Sequence, residues 1–469
     1  GFKTDFVENG RPAYHFKDLL KLFLYGYMNR IRSSWELEKE TRRNIEVRWL
    51  LKGLNPDHNT ISNFRRDNPN AIKKVFRATV ALAKNFNLIG GKLLAGDSTK
   101  LRAQNSKKNN YNEKKIQRHL DYIENKLKEY EQQLSENDGD KENEQELKQQ
   151  IETQQQRKQS YENIQKQLVE SGEVQISTSD PESRQMITRN NITEVAYNVQ
   201  TTVDDQHNIP IDFNVTNQNE SKAMGDMLRR AKVIIGNNTF TALYDKGYHT
   251  GSEFEKAAEL GIEVLVAIPA VAANAPSEAY NMEHFRYEAA GDYYVCPQGS
   301  ELHTNGTWYQ SKAAPFKQYK TPDCKACPVR ELCTTSIRNG KVVQRNKYVA
   351  YIEANKQRIQ QNQNYYRRPQ AIVEHPYGTI KRQWGFNYIT TKKTMRRAAA
   401  DVGLMFTAYN LRRILNLIGK EAFRRVFVEY FIVLYYFLAS LAQFWHRQKN
   451  HSQNQLENLP TLQGKYLLI

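Results

Sequence analysis

The stretch TALYDKGYHTGSEFEKAAELGIEVLVAIP, Thr241 to Pro269, reads as strand, turn, helix, strand. That is a βαβ unit, with two parallel strands joined by a crossover helix. Asp245 ends the first strand. A carboxylate there projects over the sheet edge, where ligands gather in open α/β sheets. Upstream, EVAYNVQTTVDDQHNIPIDFNVT (Glu194–Thr216) alternates in period two and turns at Asp204–Asn208, the pattern of a hairpin. Further upstream, Lys92–Leu94 lead as a strand into AGDSTKLRAQNS, which places Asp97 at a second strand end. A third carboxylate, Glu374, lies in VEHPYGTIKRQWG (Val373–Gly385), on an expected helix. Between Arg367 and Arg425 there are thirteen Lys or Arg and three acids, so Glu374 stands among cations.

The flanking regions read differently. Residues 1–90 are expected to be helical. FKDLLKLFLYGYMNRI (Phe16–Ile31) is amphipathic, and SSWELEKETRRNIEVRWLL (Ser33–Leu51) begins with a serine cap followed by a glutamate at capping-box spacing. NPDHNTISNFRRDN (Asn55–Asn68) is a proline turn before a short basic helix, so Arg65 and Arg66 are candidate DNA contacts. From 105 to 180 the composition turns to Glu, Gln and Lys. Ile116, Leu120, Ile123, Leu127, Tyr130 and Leu134 form a heptad seam, and SENDGD breaks it. A weaker seam follows, so an inserted antiparallel helical hairpin is expected. Residues 271–344 read as a loop-rich insertion. It holds all four cysteines of the chain, Cys296, Cys324, Cys327 and Cys333, within thirty-eight residues. Four thiolates suit a closed tetrahedral Zn²⁺ site; the Cys-Pro pairs also suit an iron–sulfur cluster.

The 469 residues carry a net charge of +17 and a pI of about 9.4. Such an excess attracts polyanions and releases their counterions on binding, so nucleic acid comes first and an anionic membrane second. The apolar run YFIVLYYFLASLA (Tyr430–Ala442) would span about 20 Å as a helix, short of a bilayer core of about 30 Å. It reads as a buried or dimer-forming helix, within a C-terminal helix and tail at 426–469. Four cysteines in a chain of this length do not suggest a secreted disulfide scaffold, and the cytoplasm fits best. The first residue is not Met, so the natural start is expected to lie further upstream.

Three carboxylates gathered by a fold would need cations. Mg²⁺ prefers oxygen ligands, and two such ions activate a water or 3′-hydroxyl and stabilise the leaving oxygen of a phosphodiester. The wording LLAGDSTKLRA, DPESRQMITRNNITEVAYNVQTTVDD, ALYDKGYHTG and VEHPYGTIKRQWGF…AYNLRR, with GRPAYHFKDLLKLFLYGYMNRIRSS before it, resembles bacterial insertion-sequence transposases of the DDE type. The resemblance runs over nearly the whole chain. It implies a mixed α/β fold. A ribonuclease-H-like catalytic core would occupy 91–104, 181–270 and 345–425, with a helical DNA-binding region ahead of it. It implies metal-dependent DNA cleavage and strand transfer by Asp97, Asp245 and Glu374, with Mg²⁺ or Mn²⁺, two ions, as cofactor. Double-stranded DNA would be the partner, as element ends and target, bound by a homodimer without any membrane, in the bacterial cytoplasm at the nucleoid. Glu374 and Lys381 match the E-x6-K part of the family's Y-R-E-K signature. The signature's Arg would fall at Gln370; Arg367 and Arg368 lie nearby, and Tyr365 stands near the place of its Tyr. Lys381, Arg382, Arg367 and Arg368 join Arg65 and Arg66 as expected DNA contacts. A catalytically silent DNA-binding descendant, or a metal-dependent nuclease without strand transfer, are the alternatives.

Overall fold

The computed structural model describes residues 2, 13–136, 141–188, 191–270, 275–311, 314–336, 338, 340–366, 368–391 and 393–425, with 365–366 and 368–370 by backbone alone. Arg367, the side chains of Tyr365, Arg368 and Gln370, and the apolar run Tyr430–Ala442 therefore lie outside the described residues. The chain divides into two compact units, 1–410 and 411–469.

The chain opens with α1 (Phe16–Met28), α2 (Ser34–Arg43), α3 (Ile45–Leu50), α4 (His58–Asp67) and α5 (Pro69–Asn85). The Ser33 side chain caps α2 by accepting from Glu36 N–H, as its sequence suggests. Asp57 caps α4 by accepting from the N–H groups of Asn59 and Thr60. Pro69 starts α5, where a missing N–H leaves no helical bond unmade. Leu22, Phe23 and Tyr27 of α1 are buried with Ile61, Ile72 and Phe76. The same apolar cluster runs on into Leu94, Val199 and Phe213 of the sheet. The helices thus pack directly on the sheet.

β1 (Leu93–Arg102) leads into a ribbon, β2 (Asn110–Asn112) with β3 (Gln175–Ser177), which ties the base of a helical hairpin, α6 (Glu113–Ser135) and α7 (Lys141–Ser171). The hairpin is the one the heptad seam suggests. At its base Ile116, Leu120 and Leu168 cluster with Tyr111, Tyr161 and Ile176, and Ile123 and Leu147 carry buried positions further towards the tip. Lys158 reaches Glu124 at 3.1 Å across the two helices.

The main sheet continues with β4 (Arg184–Ile187), β5 (Thr193–Asp204), β6 (Ile209–Thr216), β7 (Thr241–Tyr244) and β8 (Glu263–Val266), with α8 (Met224–Ile235) before β7 and α9 (Gly251–Glu259) before β8. β5 pairs antiparallel with β1 on one side, and with β4 and β6 end to end on the other. β1 pairs parallel with β7, and β7 parallel with β8. The βαβ unit is therefore present, and β1 runs through the middle of the sheet.

The cysteine-bearing segment corrects the expectation of a loop-rich insertion. It forms an antiparallel sheet, in the order β13-β12-β11-β10-β9, from β9 (Arg286–Glu288), β10 (Tyr293–Val295), β11 (Glu301–Thr304), β12 (Phe316–Lys320) and β13 (Val343–Asn346). Phe285, Tyr294, Leu302, Tyr319 and Val343 give it a small core of its own. Strands of three to five residues are too short to show a period-two pattern.

Helices complete the described chain: α10 (Arg330–Cys333), α11 (Val349–Gln361), α12 (Gln363–Tyr366), α13 (Arg368–Tyr377) and α14 (Met395–Ile418). A π-helical turn, Gly378–Gln383, continues α13. Buried Asn355 of α11 bonds both N–H and C=O of Val266, which satisfies backbone groups of β8. No helix among the described residues is long and apolar enough to cross a membrane.

Candidate active site

Side chains alternate across a strand, so β1 has two faces. Leu93 and Ala95 pack with Leu243, Leu265, Ile372 and Val373, beneath α13. Leu94 joins the opposite core. Asp97 follows Leu93 and Ala95 in the same phase. Just before it, Gly96 lets Tyr244 of β7 close in: a Cβ there would lie 2.0 Å from the Tyr244 ring. Pairing of β1 with β7 ends at Gly96↔Tyr244, so Asp97 and Asp245 are the next residues on the two adjacent parallel strands. The sequence places both at strand ends; the structure makes them neighbours but corrects Asp97, which lies within β1 because that strand runs on to Arg102 against β5, while Asp245 follows the end of β7.

Each aspartate is half-tied. Asp97 Oδ1 accepts from Ser98 N–H at 2.6 Å, and Asp245 Oδ1 from Gly247 N–H at 3.0 Å. Burial pushes the Asp97 carboxyl up to about 7, against the pull of the Ser98 N–H, and the charges of Asp245 and Glu220 add to the rise. Asp245 is raised too, by burial and then by Glu220. A third carboxylate thus stands at this site, and sequence reasoning missed it. Glu220 lies in NQNESK, a polar run with no pattern; its one signal is a lone acid between a strand and a helix.

α13 lies across the Asp97 face of β1. Tyr377 Oη donates to the carbonyl of Asp97 at 3.2 Å, and Lys381 Nζ donates to Thr99 Oγ1 at 2.7 Å and to Lys100 O at 3.3 Å. Glu374 is exposed, one turn before Tyr377. A regular helix would set Glu374 and Lys381 on one face, since seven residues make two turns. The structure corrects this. Pro376 within α13 cannot donate to the carbonyl four residues earlier, and the π turn shifts the phase, so Lys381 turns onto β1 while Glu374 faces solvent. Among the described residues, no three His, Cys, Asp or Glu side chains stand close enough together to hold a metal ion. Glu374 is therefore not drawn in to Asp97 and Asp245 here.

The expected DNA contacts divide. Arg65 is a correction, because it is buried. Its Nη1 donates to Tyr27 Oη at 2.8 Å and to Arg32 O at 3.1 Å, and lies 3.6 Å from Asp401. Asp401, fully buried on α14, also accepts from Tyr27 Oη, from Thr390 N–H at 2.7 Å and from Arg32 at 3.5 Å. This polar knot fastens α1 and α4 to α14. Burial alone would raise the Asp401 carboxyl, but Arg32 and Arg65 outweigh it and hold it below the usual range. Arg66 is half-exposed and pairs with Asp67 at 2.7 Å. Arg382 is exposed. A groove beside the aspartates is lined by Lys100, Arg102, Lys381, Ile187 and Ile192.

The four cysteines are free thiols. Cys296 follows β10, Cys324 and Cys327 lie in a short turn, Cys333 ends α10, and all four line one small cavity. Burial pushes the Cys333 thiol up; Lys341 opposes that, and the other three cysteines add to it. The thiols converge without reaching ligand geometry.

Comparison with known families gives two matches. A family described as "Transposase domain (DUF772)" matches residues 2–67, the region of α1 to α4. A family described as "Transposase DDE domain" matches residues 295–415, which hold the cysteines, Glu374 and Lys381. Asp97 and Asp245 lie between the two matches. No curated protein matches the chain. Transposase domains thus match both its N-terminal helices and the segment from the cysteines through α14, and together the two matches support an insertion-sequence transposase of the DDE type.

Proposed function

We propose that this protein is an active DNA transposase, cleaving at element ends and joining them to target DNA. One observation carries the reading: Asp97 and Asp245 are adjacent where the pairing of two parallel strands ends, with the Asp97 carboxyl pushed up to about 7 by burial and by neighbouring carboxylates. Carboxylates under that stress call for a cation. The sheet supports the ribonuclease-H-like reading, since the first strand lies centrally, three antiparallel-paired strands, β4, β5 and β6, follow on one side and two parallel strands, β7 and β8, on the other. Asp97 and Asp245, with Glu374 from α13, would hold divalent ions, Mg²⁺ or Mn²⁺. Bound there, such ions supply a water or 3′-hydroxyl activated at neutral pH and stabilise the leaving oxygen.

The chain's own residues do the placing. Tyr377 and Lys381 pin α13 to β1, which fixes the helix that carries Glu374. Lys100, Arg102 and Lys381 line a groove that would take the phosphate backbone, and Arg382 and Arg66 would make further phosphate contacts elsewhere on the surface. The helices at 1–90 would serve end recognition, and a homodimer would pair two ends at the nucleoid. The four cysteines would hold Zn²⁺, or an iron–sulfur cluster, to staple the small sheet. The experiment incubates the protein with Mg²⁺, labelled duplexes of the DNA flanking its gene, and a target plasmid. Cleavage with joined products supports transposition. Cleavage without joining reduces the protein to a nuclease, and binding without cleavage to a silent DNA-binding protein.

A further inference from the structure

We infer that Glu220 is a positioning residue of this site, acting through Lys100; the inference rests on the functional reading above. Glu220 opens the short turn Glu220–Lys222 between β6 and α8. Its Oε2 accepts from Lys100 Nζ at 2.8 Å, Ser98 Oγ at 3.3 Å and Asn198 Nδ2 at 3.4 Å. Lys100 and Asn198 are register partners on β1 and β5, and Ser98 is two residues along, so all three donors rise from one face of the sheet. The other oxygen turns towards Asp245. A Cβ on Gly247 would lie 3.2 Å from Glu220 Oε1 and 3.1 Å from Asp245 Oδ1, so the two carboxylates meet across a residue without a side chain.

The consequence lies in where a cation is kept. A free lysine carries about 2 kcal/mol of rotamer entropy and would sample much of the solvent around it. Glu220 removes that freedom and holds the Lys100 ammonium beside the aspartates, with about a fifth of the side chain exposed. On the opposite face of the same strand, Thr99 holds Lys381. The edge of β1 past Asp97 is thus flanked by two fixed ammoniums, both lining the groove. A phosphodiester entering there meets a preset pair of charges at the carboxylates. Glu220 itself touches neither phosphate nor leaving group; it sets the place of the lysine that does.

The test compares wild type with E220Q, K100M and the double variant, using end-labelled flanking duplex and Mg²⁺, with D97N alongside. Misplacing a charged group by about 1 Å costs up to about 100-fold in rate. E220Q and K100M should each lower the rate at saturating DNA by about 10- to 100-fold, E220Q with little change in KM and K100M with a raised KM as well, since it removes a phosphate contact. The double variant should be no slower than the slower single, because the two act as one unit. If D97N cleaves like wild type, the reading of the site falls and this inference with it. If D97N is dead and E220Q or K100M keeps the full rate, or the two losses multiply, Glu220 does not act through Lys100 and the inference alone is overturned. Should E220Q not fold, K100M carries the test by itself: a folded K100M at full rate overturns it.

Discussion

Replacing Asp97 by Asn should stabilise the metal-free protein while destroying its activity. In the fold, the Asp97 carboxyl stands at about 7, against about 3.9 in an unfolded chain. Between those values the native state keeps a proton that the unfolded state has lost. Stability therefore falls as pH rises from about 4 to about 7 and stays low above that. A difference of about three units corresponds to about 4 kcal/mol, and because the side chain is partly exposed we expect about 2–4 kcal/mol. Asn keeps the acceptor for Ser98 N–H and has no proton to lose. Urea unfolding with EDTA, at pH 5 and pH 8, isolates the effect as a difference of differences. D97N should gain at pH 5 about a third of what it gains at pH 8, where the gain is complete. Mg²⁺ should stabilise wild type at pH 8 by mass action and leave D97N unmoved. A D97N protein no more stable than wild type at pH 8, or a gain independent of pH, refutes the argument that burial and carboxylate crowding load this site.

Other outcomes follow from the same structure. Asp401→Ala should destabilise the fold by about 3–5 kcal/mol, since it strands the buried Arg32 and Arg65; a loss below about 1 kcal/mol would show that the knot is not needed. Arg382→Ala should lower DNA affinity evenly across sequences and reduce the slope of log affinity against log salt by about one, whereas Arg65→Ala should act on stability instead. Elemental analysis should find about one zinc, or several irons with sulfide, per chain, and Cys327→Ser should release them and expose residues 286–346 to hydrogen exchange while the main sheet stays protected. Four freely alkylated thiols in metal-free protein would contradict that.

What the sequence disclosed follows a physical line. The βαβ unit and the helical hairpin announce themselves because period and spacing are local properties. Asp97 and Asp245 were legible because each directly follows a short apolar run, although β1 continues past Asp97 to Arg102. Arg65 was misread because its fate depends on Asp401, 336 positions away, and no local pattern records a buried partner. Glu220 was invisible because a polar turn gives no sign of the strand it will reach. The phase of Lys381 relative to Glu374 is hidden for a subtler reason. Pro376 was in plain view, but the π turn that follows it is a choice made by packing against β1. The cysteine sheet hid in strands too short to alternate.

Glu374→Gln bears most directly on the account. Gln keeps the shape and removes the charge that would complete the ligand set with Asp97 and Asp245. It also removes a negative charge from the approach of phosphate. Cleavage of labelled element ends and affinity for the same DNA, measured together with Mg²⁺, give the answer. The account predicts no detectable cleavage with DNA affinity equal to or above wild type. Substantial Mg²⁺-dependent cleavage by Glu374→Gln would contradict it, and would leave Glu374 as the solvent-facing helix residue that the metal-free fold displays.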